Sequence, residues 1–302
     1  MRQAQRSAAW LVERPLHSVL GLALTLLLPF AQIFTGAAIT VLVLANGAAA
    51  AIFAAAAAAL VVVLTSLLTG ANIATIMINA AAYWLPSCAV AALLAKTRSL
   101  TLTLQVTGIL ALVVTGLVYA VLGDPANFWA GQIDTLASVL RDAGLSEQAN
   151  LLATQRDLLA PQMTVLVTAS AWSMTALVLV LGYWWFRQLS ADASRQALGR
   201  FADLDLGRVL AVLVAATSLL ALATGVAWLS AVAFVGFALY WLQGMALLHW
   251  LHAERTLPSG LLVAAYALVP VFNVLLILAL AALGLSDAWF DYRARAERRS
   301  GD

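Results

Sequence analysis

Residues 237–250, FALYWLQGMALLHW, are apolar enough for the core of a membrane, yet they place Gln243 one helical turn after Tyr240. A polar side chain without a hydrogen-bond partner is costly in a hydrocarbon environment. We therefore expect the amide of Gln243 to bind either a neighbouring helix or a ligand. The rest of the sequence defines what the neighbouring helices and the ligand could be.

The composition predicts an integral membrane protein. The chain has 302 residues, of which 64% are hydrophobic and 10% are charged, and its mean hydropathy is +0.96. In a soluble domain about 25% of the residues are charged. Apolar runs of about 18 residues or more recur along the chain and lack the alternation of barrel strands. The predicted fold class is an all-α polytopic helical bundle in contact with the lipid bilayer.

The hydropathy pattern divides the chain into eight or nine apolar segments within one transmembrane domain, 1–302. The second segment is too short to cross a membrane, so residues 17–46 are either one broken helix or a helix plus a re-entrant piece. The alanine-rich run 47–60 is expected inside the bundle, since small residues let helices approach closely. The segments lie near 17–34, 36–46, 48–69, 72–95, 100–122, 161–186, 207–226, 228–250 and 260–285.

The longest hydrophilic insert, 123–160, contains five acidic and two basic residues. Asp124 and Pro125 predict the start of a helix, and Gly144 predicts its end. A second short helix is expected around 147–159. Apolar residues at helical spacing predict that the insert is amphipathic and lies on the membrane surface or caps the bundle.

The positions of the basic residues predict the orientation in the membrane. Four arginines lie within 187–208, and three precede the first apolar segment. The positive-inside rule assigns these regions to the cytoplasm and the insert 123–160 to the outside. The polar tail, 287–302, contains four arginines and is also assigned to the cytoplasm. We expect an uncleaved first helix, because further spans follow it.

Polar residues within the apolar segments are the candidate ligand-binding groups. Their structural interpretation is that they form hydrogen bonds between helices, and each such pair contributes about 0.6 kcal/mol to stability. Their functional interpretation is a binding site near the middle of the membrane, where transporters gather polar groups. Because the side chains are neutral, the expected ligand is a small, partly apolar molecule without a strong charge. The predicted substrate-binding residues are Asn72, Asn79, Tyr240, Gln243 and Asn273.

Other functional classes lack support in the sequence. No motif for a hydrolase nucleophile, a zinc protease, a phosphate loop or a dinucleotide site is present, so we predict no enzyme and no cofactor. His249 and His252 could bind a metal, but two histidines beside Trp250 at the end of a span are typical of an interfacial cluster, and we predict no metal site. Basic residues confined to span ends give no support for nucleic-acid binding.

The carboxyl-terminal third of the chain shows a resemblance to a known family. The stretches YWLQGMALLHW, LPSG and LGLSDAWFDYRAR, and the pattern G-x-x-D-x-x-F-D-x-R at 284–293, resemble the YybS-like family of bacterial inner-membrane proteins. That family has no established activity, and its core is similar to the substrate-capture (S) components of energy-coupling-factor transporters. The resemblance implies a location in the bacterial inner membrane and a role in capturing a small molecule for transport. The alternative is a membrane scaffold or assembly partner that binds another membrane protein.

Overall fold

The computed structural model describes residues 2–26, 28–189, 198–254, 257–268 and 273–300, apart from the side chains of 2, 273 and 297–300. Within these ranges the chain forms helices and no strand, which confirms the predicted all-α class. Six helical stretches are long and apolar enough to cross a membrane, namely Ala48–Thr69, Ile73–Thr97, Leu100–Leu122, Arg156–Arg187, Gly207–Thr224 and Ala227–Ala253. The chain is therefore a multi-pass helical membrane protein.

The helices follow the predicted segments closely. In chain order they are α1 (Arg2–Glu13), α2 (Pro15–Thr25), α3 (Ala31–Asn46), α4 (Ala48–Thr69), α5 (Ile73–Thr97), α6 (Leu100–Leu122), α7 (Pro125–Asp142), α8 (Ser146–Thr154), α9 (Arg156–Leu159), α10 (Met163–Arg187), α11 (Gly207–Thr224), α12 (Ala227–Leu239), α13 (Trp241–Ala253), α14 (Ser259–Leu268), α15 (Asn273–Phe290) and α16 (Tyr292–Ser300). Short 3-10 helices occur at Ala160–Gln162 and Phe201–Asp203.

Three of the predicted apolar stretches, 17–46, 228–250 and 260–285, are each divided into two helices. The first is broken between α2 and α3, where Pro29 lacks a backbone N–H and Phe30 adopts a left-handed φ of 58°. α2 has 11 residues and α3 has 16, and each is shorter than the roughly 20 residues that a span needs. The last segment forms α14 and α15, and residues 269–272 between them lie outside the described residues.

The chain forms two compact units, and the first comprises Met1–Leu104 and Ser173–Leu204. Helix α3 is its most enclosed element, since every residue from 35 to 43 is buried. Gly36 lies against Val178, and Gly182 lies against Thr40, so that an added Cβ would come within 2.6 Å of Val178 at the first position. These glycines bring α3 into close contact with the second half of α10.

The second unit comprises Gln105–Trp172 and Asp205–Asp302. Its central element is the stretch Ala227–Ala253, formed by α12 and α13, which contains an apolar 18-residue window that is 78% buried. The corresponding windows of the other five candidate spans are only 22 to 33% buried. Helix α12 packs against α11 at Gly236, where an added Cβ would lie 2.7 Å from Val214. Helix α13 packs against α15. Polar residues in the stretch 237–250 therefore face protein.

The insert between α6 and α10 has its own small core within the second unit. Asp124 caps α7 by accepting a hydrogen bond from the backbone N–H of Ala126 at 3.0 Å, as the sequence predicts. Gly144 follows α7 with a left-handed φ of 81°. The second predicted helix is divided into α8 and α9. Ile133, Ala130 and Ala160 are the buried residues of this core.

Candidate functional site

Glycines allow α13 and α15 to touch through their backbones. A Cβ on Gly244 would collide with the carbonyl oxygen of Leu280, and a Cβ on Gly284 would collide with the carbonyl oxygen of Tyr240. Backbone atoms cannot move aside as a flexible side chain can, so both positions require glycine. This contact brings the side chains that follow on each helix within hydrogen-bonding distance.

Gln243 uses both ends of its amide within the protein. It is fully buried, and its Oε1 accepts a hydrogen bond from the backbone N–H of Leu206 at 2.8 Å. Its Nε2 donates to Asp287 Oδ2 at 3.1 Å. Gln243 thus joins the loop before α11 to the end of α15. These bonds agree with the helix-bridging interpretation, and the ligand-binding interpretation stays a prediction.

The turn at 205–207 receives two further side chains. Tyr240 is fully buried, and its hydroxyl donates to the carbonyl oxygen of Gly207 at 3.1 Å. Gln105 Nε2 donates to the carbonyl oxygen of Leu206 at 3.2 Å. Asp205 Oδ1 accepts from the N–H of Gly207 at 2.8 Å. Gln243 of α13, Tyr240 between α12 and α13, Gln105 of α6 and Asp205 of the loop itself therefore fix this turn.

Asp287 connects the end of α15 to the tail. Its Oδ2 lies 3.5 Å from Arg293 Nη2, and its Oδ1 accepts from the N–H of Tyr292 at 3.2 Å. Asp287 is 5% exposed and lies outside the six candidate spans. Burial raises the pKa of its carboxyl above the ordinary value, and the hydrogen bond from Gln243 and the charge of Arg293 partly oppose this rise. Asp287 and Arg293 thus form an ion pair between the end of α15 and the tail.

These contacts explain the G-x-x-D-x-x-F-D-x-R pattern in physical terms. Gly284 permits the helix contact, and Asp287 accepts hydrogen bonds from Gln243 and the tail. Asp291 adopts a left-handed φ of 49° between α15 and α16. The guanidinium of Arg295 lies 5.5 Å from the ring centre of Phe290. The pattern therefore describes a helix end and a turn that hold the tail against α13.

Little space is left at this junction. A polar cavity of about 50 Å³ lies beside it, lined by Asp205, Arg208, Asp287, Ala288, Asp291 and Arg293. A water molecule occupies about 30 Å³ in the liquid, whereas small-molecule sites have about 300 to 1,000 Å³. The junction can hold water, but an organic ligand would not fit there.

A much larger space lies in unit 1. A groove of about 550 Å³ separates one face of α4 from one face of α5. Ile39 of α3 and the ring of Trp84 also line it, and both are at least 93% buried. Trp84 Nε1 donates to Thr35 Oγ1 at 2.6 Å, so its polar atom is already bonded. The lining is otherwise almost entirely apolar, and on α4 it consists of Ala48, Ala51, Ile52, Ala55, Ala56 and Ala59.

The five predicted substrate-binding residues fall into separate places. Tyr240 and Gln243 are together at the junction in unit 2. Asn72 belongs to unit 1, where its Oδ1 caps α5 by accepting from the N–H of Thr75 at 3.1 Å. Asn79 is exposed and lies two residues after Met77 of the groove lining, which puts it about 200° around the helix. Asn273 begins α15, and its side chain lies outside the described residues.

The two histidines make contacts other than a shared metal site. His249 Nε2 and Tyr266 Oη form a hydrogen bond of 2.6 Å between α13 and α14. His252 Nδ1 lies 3.0 Å from the carbonyl oxygen of Leu257. Across the described residues, no three His, Cys, Asp or Glu side chains are grouped as metal ligands.

The groove was not recognised from the sequence, although a signal for it exists. Ala48, Ala51, Ala55 and Ala59 recur at i, i+3, i+7 and i+11, so they share one face of α4. Such a face is equally compatible with close packing of two helices. Only the positions of α3 and α5 decide between a contact and a groove. No known protein family, no curated protein and no solved structure matches this chain.

Proposed function

We propose that this membrane protein captures a small, uncharged, apolar molecule in the groove between α4 and α5, in the manner of the substrate-capture component of a transporter. The observation that carries the proposal is the groove's volume of about 550 Å³. That volume lies within the range of about 300 to 1,000 Å³ that is usual for small-molecule sites.

The lining defines the chemical class of the ligand. Its α4 and α5 faces consist mainly of alanine, with Met77, Leu85 and Cys88 among the larger side chains. Such a surface offers dispersion contacts and few hydrogen bonds, so a charged or strongly polar ligand would lose hydration without compensation. The favoured ligand is therefore a molecule with a hydrocarbon or aromatic body.

The shape of the groove favours an elongated ligand. Its α4 face extends from Ala48 to Ala59, which is about 17 Å at 1.5 Å of rise per residue. The groove extends inward to Ile39 of α3, which is 1% exposed. A slender molecule could therefore lie along α4 with its body in contact with α3. Capture of a small molecule within a helical bundle is also what the predicted resemblance to the YybS-like family, and through it to S components, implies.

The test is to identify what the purified protein retains and to fill the groove. The full-length protein is extracted in a mild detergent, and native mass spectrometry records bound small molecules. In Ala55→Phe a large ring would occupy the middle of the groove, so we expect retention of the bound molecule to fall at least tenfold. Ala50→Phe is the matched control, because Ala50 is exposed and lies about 140° away around α4.

The single cysteine provides a second readout. Cys88 lines the groove and is the only cysteine in the chain, so an uncharged thiol reagent such as N-ethylmaleimide reports on this place alone. A bound ligand and the Ala55→Phe ring should both slow the labelling of Cys88. The Ala50→Phe variant should label at the wild-type rate.

Two outcomes would oppose the proposal. A wild-type protein that retains no apolar molecule, together with Cys88 labelling that no added apolar compound slows, would exclude ligand capture in the groove. Stoichiometric co-purification of another membrane protein that Ala55→Phe abolishes would instead assign the groove to a partner helix.

One observation favours the alternative role of a membrane scaffold. Asn79 is exposed in the candidate span Ile73–Thr97, on the face of α5 away from the groove. An outward-facing amide within a span is a group that a helix of another protein could bind. If the chain is a scaffold, Asn79→Leu should release a co-purifying protein without changing the labelling of Cys88.

A further inference from the structure

The insert between α6 and α10 presents an apolar stripe that its own core does not cover. Phe128, Leu136 and Val139 of α7 are 45%, 51% and 56% exposed. Their spacing of eight and three residues puts all three on one side of the helix, where the exposed Gln132 lies between Phe128 and Leu136. This stripe is separate from the buried side of α7, which contains Ala130 and Ile133.

The insert is fixed to the beginning of α10. Trp129 Nε1 donates to Thr164 Oγ1 at 2.7 Å, and Thr164 lies in the first turn of α10. Arg156 Nε lies 3.1 Å from Asp134 Oδ2, which connects α9 to α7. Helix α7 is therefore held in a defined orientation at the end of a candidate span.

Both ends of the insert are continuous with helices that can cross the membrane. α6 ends at Leu122, two residues before the cap of α7, and Val121 is 78% exposed. Arg156–Arg187 is the candidate span on the other side. Since the insert contains no span of its own, both ends emerge on the same side of the bilayer. The stripe is thus within reach of the lipid that surrounds the two spans.

We propose that α7 lies in the interfacial layer of the bilayer, with Phe128, Leu136 and Val139 inserted between the lipid chains and Ser138 and Asp134 turned towards water. The partner surface is the neutral, zwitterionic lipid surface. The insert has five acidic residues and two basic ones, so anionic lipid would repel it rather than attract it. An apolar stripe beside a polar face is the pattern of helices that lie in this layer.

The test uses nitroxide spin labels on the full-length protein in phosphatidylcholine nanodiscs. Cys88→Ala gives a cysteine-free background, and single cysteines are then introduced at Leu136 and Ser138. These positions are two residues apart and both exposed, and they lie about 200° apart around the helix. Oxygen collects in the hydrocarbon, whereas a nickel chelate stays in water. We expect the ratio of oxygen to nickel accessibility to be several-fold higher at 136 than at 138.

The result can overturn the proposal in two ways. Equal, water-like ratios at both positions would show that the stripe faces solvent. Low accessibility to both reagents at 136 would show that protein covers it, and would replace the lipid surface by a second chain. A Val139→Cys label that repeats the result at 136 supports insertion. Neither outcome depends on the groove in unit 1, so this proposal and the proposed function fail separately.

Discussion

Small residues have opposite consequences at two places, the contact between α13 and α15 in unit 2 and the groove between α4 and α5 in unit 1. In unit 2, Gly244 and Gly284 bring α13 and α15 into backbone contact, and 78% of an apolar 18-residue window within Ala227–Ala253 is buried. In unit 1, the alanines of α4 line an open groove, and only 28% of an apolar 18-residue window within Ala48–Thr69 is buried. Small side chains allow α13 and α15 to come into contact, whereas between α4 and α5 they leave a groove. Whether a small residue makes a contact or a space is decided by the helix opposite to it.

The polar groups follow the same division. Where the helices touch, Gln243 is fully buried and both ends of its amide are bonded. Where the groove is open, the lining is almost entirely apolar, and Trp84 directs its N–H to Thr35 and away from the groove surface. Fully bonded polar groups specify a unique packing arrangement, whereas an apolar groove leaves room for a second molecule.

The largest expected effect is at the glycine contact. Gly244→Ala would place a methyl group against the carbonyl oxygen of Leu280, so the helices would have to separate. We expect a loss of about 3 kcal/mol or more in the free energy of unfolding, at the upper end for overpacked interiors. Thermal unfolding in a single detergent measures the loss.

Gly116→Ala is the matched control for this prediction. Gly116 is in α6, and a Cβ added there would meet open space. Glycine costs about 1 kcal/mol relative to alanine in a helix interior, so this variant should be as stable as the wild type or slightly more stable. Equal melting temperatures for the two variants would contradict the contact between α13 and α15.

A smaller effect is expected from the removal of the amide that joins three segments. Gln243→Ala leaves the N–H of Leu206 without its acceptor and removes one donor from Asp287. A buried polar group that loses its partner costs about 1 to 3 kcal/mol. Gln148→Ala, on the exposed side of α8, should remain within about 0.5 kcal/mol of the wild type. An unchanged melting temperature for Gln243→Ala would contradict the bridging role of Gln243.

The sequence predicted the helices well because each one leaves a local signal. Apolar length identified the spans, and Asp124, Pro125 and Gly144 identified the boundaries of α7. Pairing between distant residues leaves no such signal. Gln243 and Asp287 are 44 residues apart, and a single sequence does not indicate that they form a hydrogen bond. The need of Gln243 for a partner was predictable, but the identity of that partner was not.

The candidate site was harder to predict for a related reason. Asn72 and Asn79 were selected because polar residues are expensive in a membrane, yet the groove is lined mainly by apolar side chains. A search for polar groups therefore could not find it. The volume between two helices depends on their separation and angle, which single-helix periodicity does not encode.

The ion pair in the tail should contribute less, and its contribution should depend on pH. Arg293→Ala removes the cation 3.5 Å from Asp287, while the bonds from Gln243 and Tyr292 remain. Burial already raises the pKa of Asp287, and the loss of Arg293 raises it further. A carboxyl whose pKa is higher in the folded state binds its proton more tightly when folded. The free energy of unfolding therefore falls as pH rises from the unfolded value of about 3.9 through the folded pKa.

The interval between the unfolded and the folded pKa of Asp287 is wider in the variant. The loss in free energy of unfolding caused by Arg293→Ala should therefore be small near pH 4 and reach about 1 kcal/mol at pH 8. Melting curves of the wild type and the variant across this range provide the measurement. Arg295→Ala serves as the control, because Arg295 is exposed and contacts the ring of Phe290. A deficit that is the same at both pH values would rule out Asp287 as the partner that matters.

The smallest effect is expected in the groove itself. Ala55 and Ala58 are one turn apart on α4, but Ala55 lines the groove and Ala58 is fully buried outside it. Ala55→Leu adds carbon where space exists, so the free energy of unfolding should remain within about 0.5 kcal/mol of the wild type. Ala58→Leu adds the same carbon to filled space and should cost about 1 to 3 kcal/mol. Thermal unfolding of the two variants after delipidation compares them directly, because a retained ligand would add its own stabilisation to the wild type. If Ala55→Leu lowers the free energy of unfolding as much as Ala58→Leu does, the groove is closed in the folded protein. The alanines of α4 would then allow close helix packing in unit 1, as Gly244 and Gly284 do in unit 2.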